Sequence, residues 1–81
     1  LLVDTTQTTV TITLPAAPAV GDEVVFIDAR GTFASNALTI ERNGKPINSG
    51  TNNLALGTNG QAITLVFIDS TRGWAYKTNT A

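Results

Sequence analysis

The 81-residue chain contains no cysteine, no histidine and no methionine. Without cysteine there is no disulfide to brace a small core, and without cysteine or histidine the usual soft and borderline metal ligands are missing. Serine catalysis loses its general base along with histidine, and no GxSxG elbow occurs. Charge is also sparse, at 14 % of residues with a formal net charge of −1. Nucleic acid and anionic lipid are bound by clustered Lys and Arg. The five basic residues here are scattered, so neither partner is expected. Apolar runs such as LVFI at 65–68 fall far short of the roughly 20 residues that cross a bilayer, and no charged-then-apolar leader opens the chain. A soluble single domain over 1–81 is expected. Its mid-pattern opening, Leu1-Leu2-Val3, reads as a segment of a longer protein. A domain of this size usually needs a staple or a partner, and the staples are absent.

What is present favours strand. Fourteen threonines, with no Ala-Leu-Glu-Lys spacing of helical period, suit a pleated surface. TTVTITLP at 8–15 alternates strictly: Val10, Ile12 and Leu14 point one way and Thr9, Thr11 and Thr13 the other. PAAPAVGD at 15–22 is a stiff connection, leading into a strand over about 23–28. LTIER at 38–42 is another strand. The Asn-Gly of RNGKPI at 42–47 favours a two-residue hairpin, and Pro46 confines the residues after it to an edge or a strand start. Leu54 and Leu56 mark a short strand between turns, and WAYKT closes the chain with Trp74 and Tyr76 on one face. The expected fold is all-β: a compact antiparallel β-sandwich or small barrel of short strands without significant helix.

Two strands break the alternation. Over 23–28, Val24 and Phe26 take one face while Val25 and Ile27 take the other; over 63–69, Ile63, Leu65 and Phe67 oppose Val66 and Ile68. In an antiparallel sheet one face normally meets water. Two coverings for the second face are open, a further layer of this domain or a neighbouring subunit. Val25, Ile27, Val66 and Ile68 are therefore candidate subunit-interface residues.

Both strands end in the same phrase: VFIDARGTFA at 25–34 and VFIDSTRGWA at 66–75. In each copy the aspartate can accept bonds from the next amides and the glycine can supply a left-handed residue. Asp28, Gly31, Asp69 and Gly73 are thus turn-forming candidates. The expectation is two hairpins, with a three-residue loop at Ala29-Arg30-Gly31 and a four-residue loop at Ser70-Thr71-Arg72-Gly73, and with Phe33 and Trp74 opening the return strands. Upstream of the phrases little further identity remains, so shared turn chemistry accounts for them better than duplication. Either Asp→Ala change is expected to cost about 1 kcal/mol.

Of the chemistry available in principle, Asp28 and Asp69 could form a glycosidase-like carboxylate pair, but no third polar group accompanies them. GTNGQ and NSGTNN lack the lysine of a phosphate cradle, and no run matches a calcium loop. No catalytic residue, metal ligand or cofactor is expected. Trp74 and Tyr76, near the Asn-rich 48–60 loops, could stack on a host surface glycan; the competing reading is core packing.

Taken in order, LLVDTT, VTITLP with Pro18 after it, GDEVVFID, FASNALTIERNG, the INSG turn and GQAITLVFIDSTRGW resemble the small all-β domains of tail fibres and related virion structural proteins of tailed bacteriophages. The match covers most of 1–76; INSG departs slightly from an Ile-x-Gly turn. The resemblance implies a building block of a virion appendage, usually a homotrimer joined to other virion proteins and sometimes placed near host receptors. A capsid decoration domain would have the same chemistry at a different address. The resemblance carries over no functional residue.

Overall fold

The computed structural model describes residues 1–80. Its seven strands are, in chain order, β1 (Leu2–Val3), β2 (Val10–Thr13), β3 (Glu23–Asp28), β4 (Leu38–Glu41), β5 (Leu54–Leu56), β6 (Ala62–Asp69) and β7 (Gly73–Thr80). They form a four-stranded sheet in the order β1-β3-β6-β7 and a three-stranded sheet in the order β2-β4-β5. One apolar core draws on both sheets. Phe26, Ile63, Leu65, Phe67 and Trp74 come from the larger sheet, and Leu38, Ile40 and Leu56 from the smaller. Leu14, Phe33 and Ile47 reach the same core from connecting segments.

The alternating pattern of 8–15 is realised as read: Val10 and Ile12 are half-buried, Leu14 is buried, and Thr9, Thr11 and Thr13 are exposed. The sheets are mixed rather than purely antiparallel. β1 runs parallel to β3, with Leu2 opposite Ile27, and β2 runs parallel to β4, with Val10 opposite Leu38. The reason lies in the route of the chain. It leaves the larger sheet after β1 for the smaller one at β2, returns to β3, and leaves again for β4. Two crossings made in the same sense bring their strands side by side in parallel.

The two crossings are bonded to each other. The Thr5 and Thr32 hydroxyls lie 2.6 Å apart, and the Asn36 side-chain Nδ2 donates to the Thr5 carbonyl at 2.8 Å. Asp4 accepts the Thr6 amide and hydroxyl and lies 3.6 Å from Arg30. Thr5 is fully buried, so its pairing removes an otherwise uncompensated hydroxyl from the interior.

At the other end, Asn43 and Gly44 both take positive φ (53° and 88°), and the Lys45 amide donates to the Arg42 carbonyl. This is the tight turn expected of Asn-Gly, but it does not join two paired strands. β4 instead pairs antiparallel with β5, across residues 42–53. The INSG segment forms a second tight turn, in which Ile47 and Gly50 exchange amide-carbonyl bonds and Asn48 and Ser49 both have positive φ. It docks on the start of β7 through Trp74 N–H to Pro46 C=O (2.8 Å) and Asn48 N–H to Trp74 C=O (2.6 Å). Pro46 thus lies along an outer edge, where its missing donor costs nothing.

Candidate functional site

The two similar phrases have different fates. The second is a hairpin between β6 and β7, with Asp69 opposite Gly73 and Ser70–Arg72 as a three-residue loop, one residue shorter than expected. The first is not a hairpin. After Asp28 the chain crosses to the smaller sheet, and Phe33 lies in a turn rather than a return strand while its ring is fully buried. Gly31 and Gly73 both adopt left-handed φ, 68° and 70°.

Asp28 is buried, and its carboxylate accepts four backbone amides. Arg30 and Thr32 donate to Oδ1 at 3.3 and 3.1 Å, and Phe33 and Gly60 donate to Oδ2 at 3.1 and 2.9 Å. The Gly60 bond ties the crossing to the β5–β6 connection. Burial pushes the Asp28 carboxyl up, but the amides of Gly60, Phe33, Thr32 and Arg30 outweigh it and hold the group below the ordinary carboxylate value. Asp69 is exposed and, among the described residues, accepts the local Thr71 and Arg72 amides alone.

The two aspartates lie at opposite ends of the larger sheet. Asp28 donates its amide to Gln61, next to the first residue of β6, and Asp69 is the last residue of that strand. The length of β6 separates them by roughly 24 Å at about 3.4 Å per residue. A glycosidase pair spans no more than about 9.5 Å. These two carboxylates are not such a pair, and no three acids gather into a metal-binding group among the described residues.

Trp74 is wholly buried, with its ring edge-on to Phe67 at 5.5 Å and 66°. It packs in the core and presents no face to a sugar. Tyr76 lies opposite Leu65 on the same side of the sheet, near its margin, and is 40 % exposed. The expected aromatic pair is therefore split between interior and surface.

Val25, Ile27, Val66 and Ile68 all lie on the outward side of the larger sheet, opposite the core face. No layer of this domain covers them: Val25 and Ile68 are 39 % exposed and Ile27 is 38 % exposed. Leu2, opposite Ile27 in the β1–β3 ladder, extends the patch and is 77 % exposed. Val66 is half-buried. Glu23 lies opposite Val66, and Lys77 reaches across β6 from β7 to bind Glu23 at 3.1 and 3.2 Å. The pair neutralises both charges beside Val66.

Sequence reasoning missed this ion pair because an irregularity in β7 places Lys77 between Tyr76, opposite Leu65, and Thr78, opposite Thr64. It also missed Asp4, although Val-Asp-Thr-Thr carries the same signal as the two noted phrases, a strand end leading into aspartate and small polar residues.

The chain matches no known family model, and no curated protein is similar to it.

Proposed function

We propose that this domain is a non-enzymatic structural module that assembles by packing the outward face of its larger sheet against further copies of itself. The observation that carries this reading is the open apolar surface of Leu2, Val25, Ile27 and Ile68, with the half-buried Val66 among them, on a sheet whose other side faces the core. Glu23 and Lys77 on this face neutralise each other, so this pair selects neither an acidic nor a basic partner. Further copies offer the same apolar residues, and a closed ring would bring the face of each against an adjoining part of its neighbour in a heterologous contact. The resemblance of the ordered phrases to tail-fibre domains supports a phage virion appendage as the module's setting, with a three-fold assembly alongside other virion proteins.

Size exclusion with light scattering tests the reading. The chain is expected to run as an oligomer at micromolar concentration and Ile27→Asp as a folded monomer, because the substitution would bury an unpaired charge. A wild-type chain that stays monomeric as its concentration rises would remove the face from the account. The glycan-binding alternative loses Trp74 to the core, and a glycan array with a Tyr76→Ala control tests what remains of it.

A further inference from the structure

We infer that Asn43 is a built-in site of spontaneous deamidation, and that the fold protects the chain's other Asn-Gly pair. Asn43-Gly44 and Asn59-Gly60 are the sequences most open to this chemistry, since glycine leaves the attacking nitrogen unhindered. The Gly nitrogen gives up its proton to a solvent base and attacks the Asn Cγ. A nitrogen–Cγ bond forms and closes a succinimide, the Cγ–Nδ2 bond breaks, and the side-chain nitrogen takes a proton from solvent and leaves as ammonia. Water then opens the imide at either carbonyl, leaving aspartate or isoaspartate.

The structure treats the two pairs differently. At Asn59-Gly60 both reacting groups are held: the Gly60 N–H donates to the Asp28 carboxylate at 2.9 Å, and Asn59 Oδ1 accepts the Ala34 amide at 2.9 Å. Ring closure there requires both bonds to open, one of them part of the buried Asp28 cluster. Asn48, which precedes the small residue Ser49, is restrained in a similar way because the Ser49 amide donates to the Arg72 carbonyl at 2.9 Å. At Asn43-Gly44 the Gly44 N–H has no acceptor among the described residues, Asn43 is exposed, and its side chain is tethered by one bond, Nδ2–H to the Leu14 carbonyl at 2.9 Å.

That tether gives the reaction a structural consequence. Deamidation removes the donor and sets a carboxylate against the Leu14 carbonyl. Leu14 is a core residue whose amide fastens the end of β2 to the Glu41 carbonyl at 2.8 Å. The modification thus loosens β2, an edge strand of the smaller sheet, from the central β4.

The test is incubation of the folded chain at mildly alkaline pH, with peptide mass mapping and isoaspartate quantification at Asn43, Asn48 and Asn59, beside an identical sample in urea. Asn43 is expected to convert at least roughly ten-fold faster than Asn59 in the folded chain, because Asn59 must wait for local opening. Urea should bring the two Asn-Gly pairs to comparable rates. Equal conversion of Asn59 in the folded chain would overturn the inference, as would an intact Asn43 at a time when the urea sample has reacted. An Asn43→Asp chain reads the consequence separately: hydrogen exchange at the Leu14 amide should quicken, and unchanged protection there would refute the loosening of β2.

Discussion

The first Val-Phe-Ile-Asp turn is held by its aspartate and the second by its glycine. Asp28 is buried and gathers amides from its own crossing and from Gly60, while Asp69 is exposed and holds two neighbours. The glycines reverse the order. An added Cβ at Gly31 would meet open space, whereas at Gly73 it would lie inside the van der Waals shell of the Pro46 carbonyl, which approaches to accept the Trp74 amide. Near-identical words in the chain thus place their stabilisation on different letters, and what surrounds each turn decides which.

The contrast is open to its most forceful challenge at Gly73. Gly73→Ala adds left-handed strain to a backbone clash and is expected to cost about 4 kcal/mol, read as a lowered urea midpoint. Gly31→Ala carries the strain alone and should cost about 1 kcal/mol. Equal losses at the two glycines would show that Pro46 does not approach as described.

The aspartates should rank the other way. Asp28→Ala strands four backbone donors, one buried and three part-buried, and is expected to cost about 3 kcal/mol, against about 1 kcal/mol or less for the exposed Asp69→Ala. The larger figure exceeds the sequence-based expectation because a turn aspartate was counted there only for its local bonds.

A gentler perturbation is acid. Asp28 has a folded-state pKa held below its ordinary value of 3.8, so its contribution to stability is fully present above that value. The contribution is lost as pH falls from there through the lowered folded value. Urea midpoints measured through this range should fall for the wild type and fall less steeply for Asp28→Ala; parallel profiles would remove Asp28 as a source of the acid sensitivity.

These differences also mark how far the sequence could be read. Strand existence was legible wherever side-chain alternation or a flanking turn was local: Val10, Ile12 and Leu14 gave β2, and Glu23 to Asp28 gave β3 with its full bounds. The outward set Val25, Ile27, Val66 and Ile68 was legible for the same reason, since the period of a strand fixes its faces. Pairing was not legible, because β3 lies between β1 and β6, both distant in sequence, and no turn signal announces a parallel neighbour. The importance of Asp28 was hidden because one of its donors, Gly60, lies 32 residues away. Core packing of Trp74 was open to the sequence and is what the structure has, but the segment docked at its backbone was not legible, because it comes from 46–48.

The order of the larger sheet has a kinetic consequence. Its β6–β7 contact is a hairpin that can form from neighbouring residues, whereas β1–β3 and β3–β6 each close a long stretch of chain before any ladder bond is gained. Such a topology belongs among slow two-state folders, on the millisecond-to-second scale typical of sandwiches. The β6–β7 hairpin is therefore the expected nucleus, with the β1–β3 pairing following it.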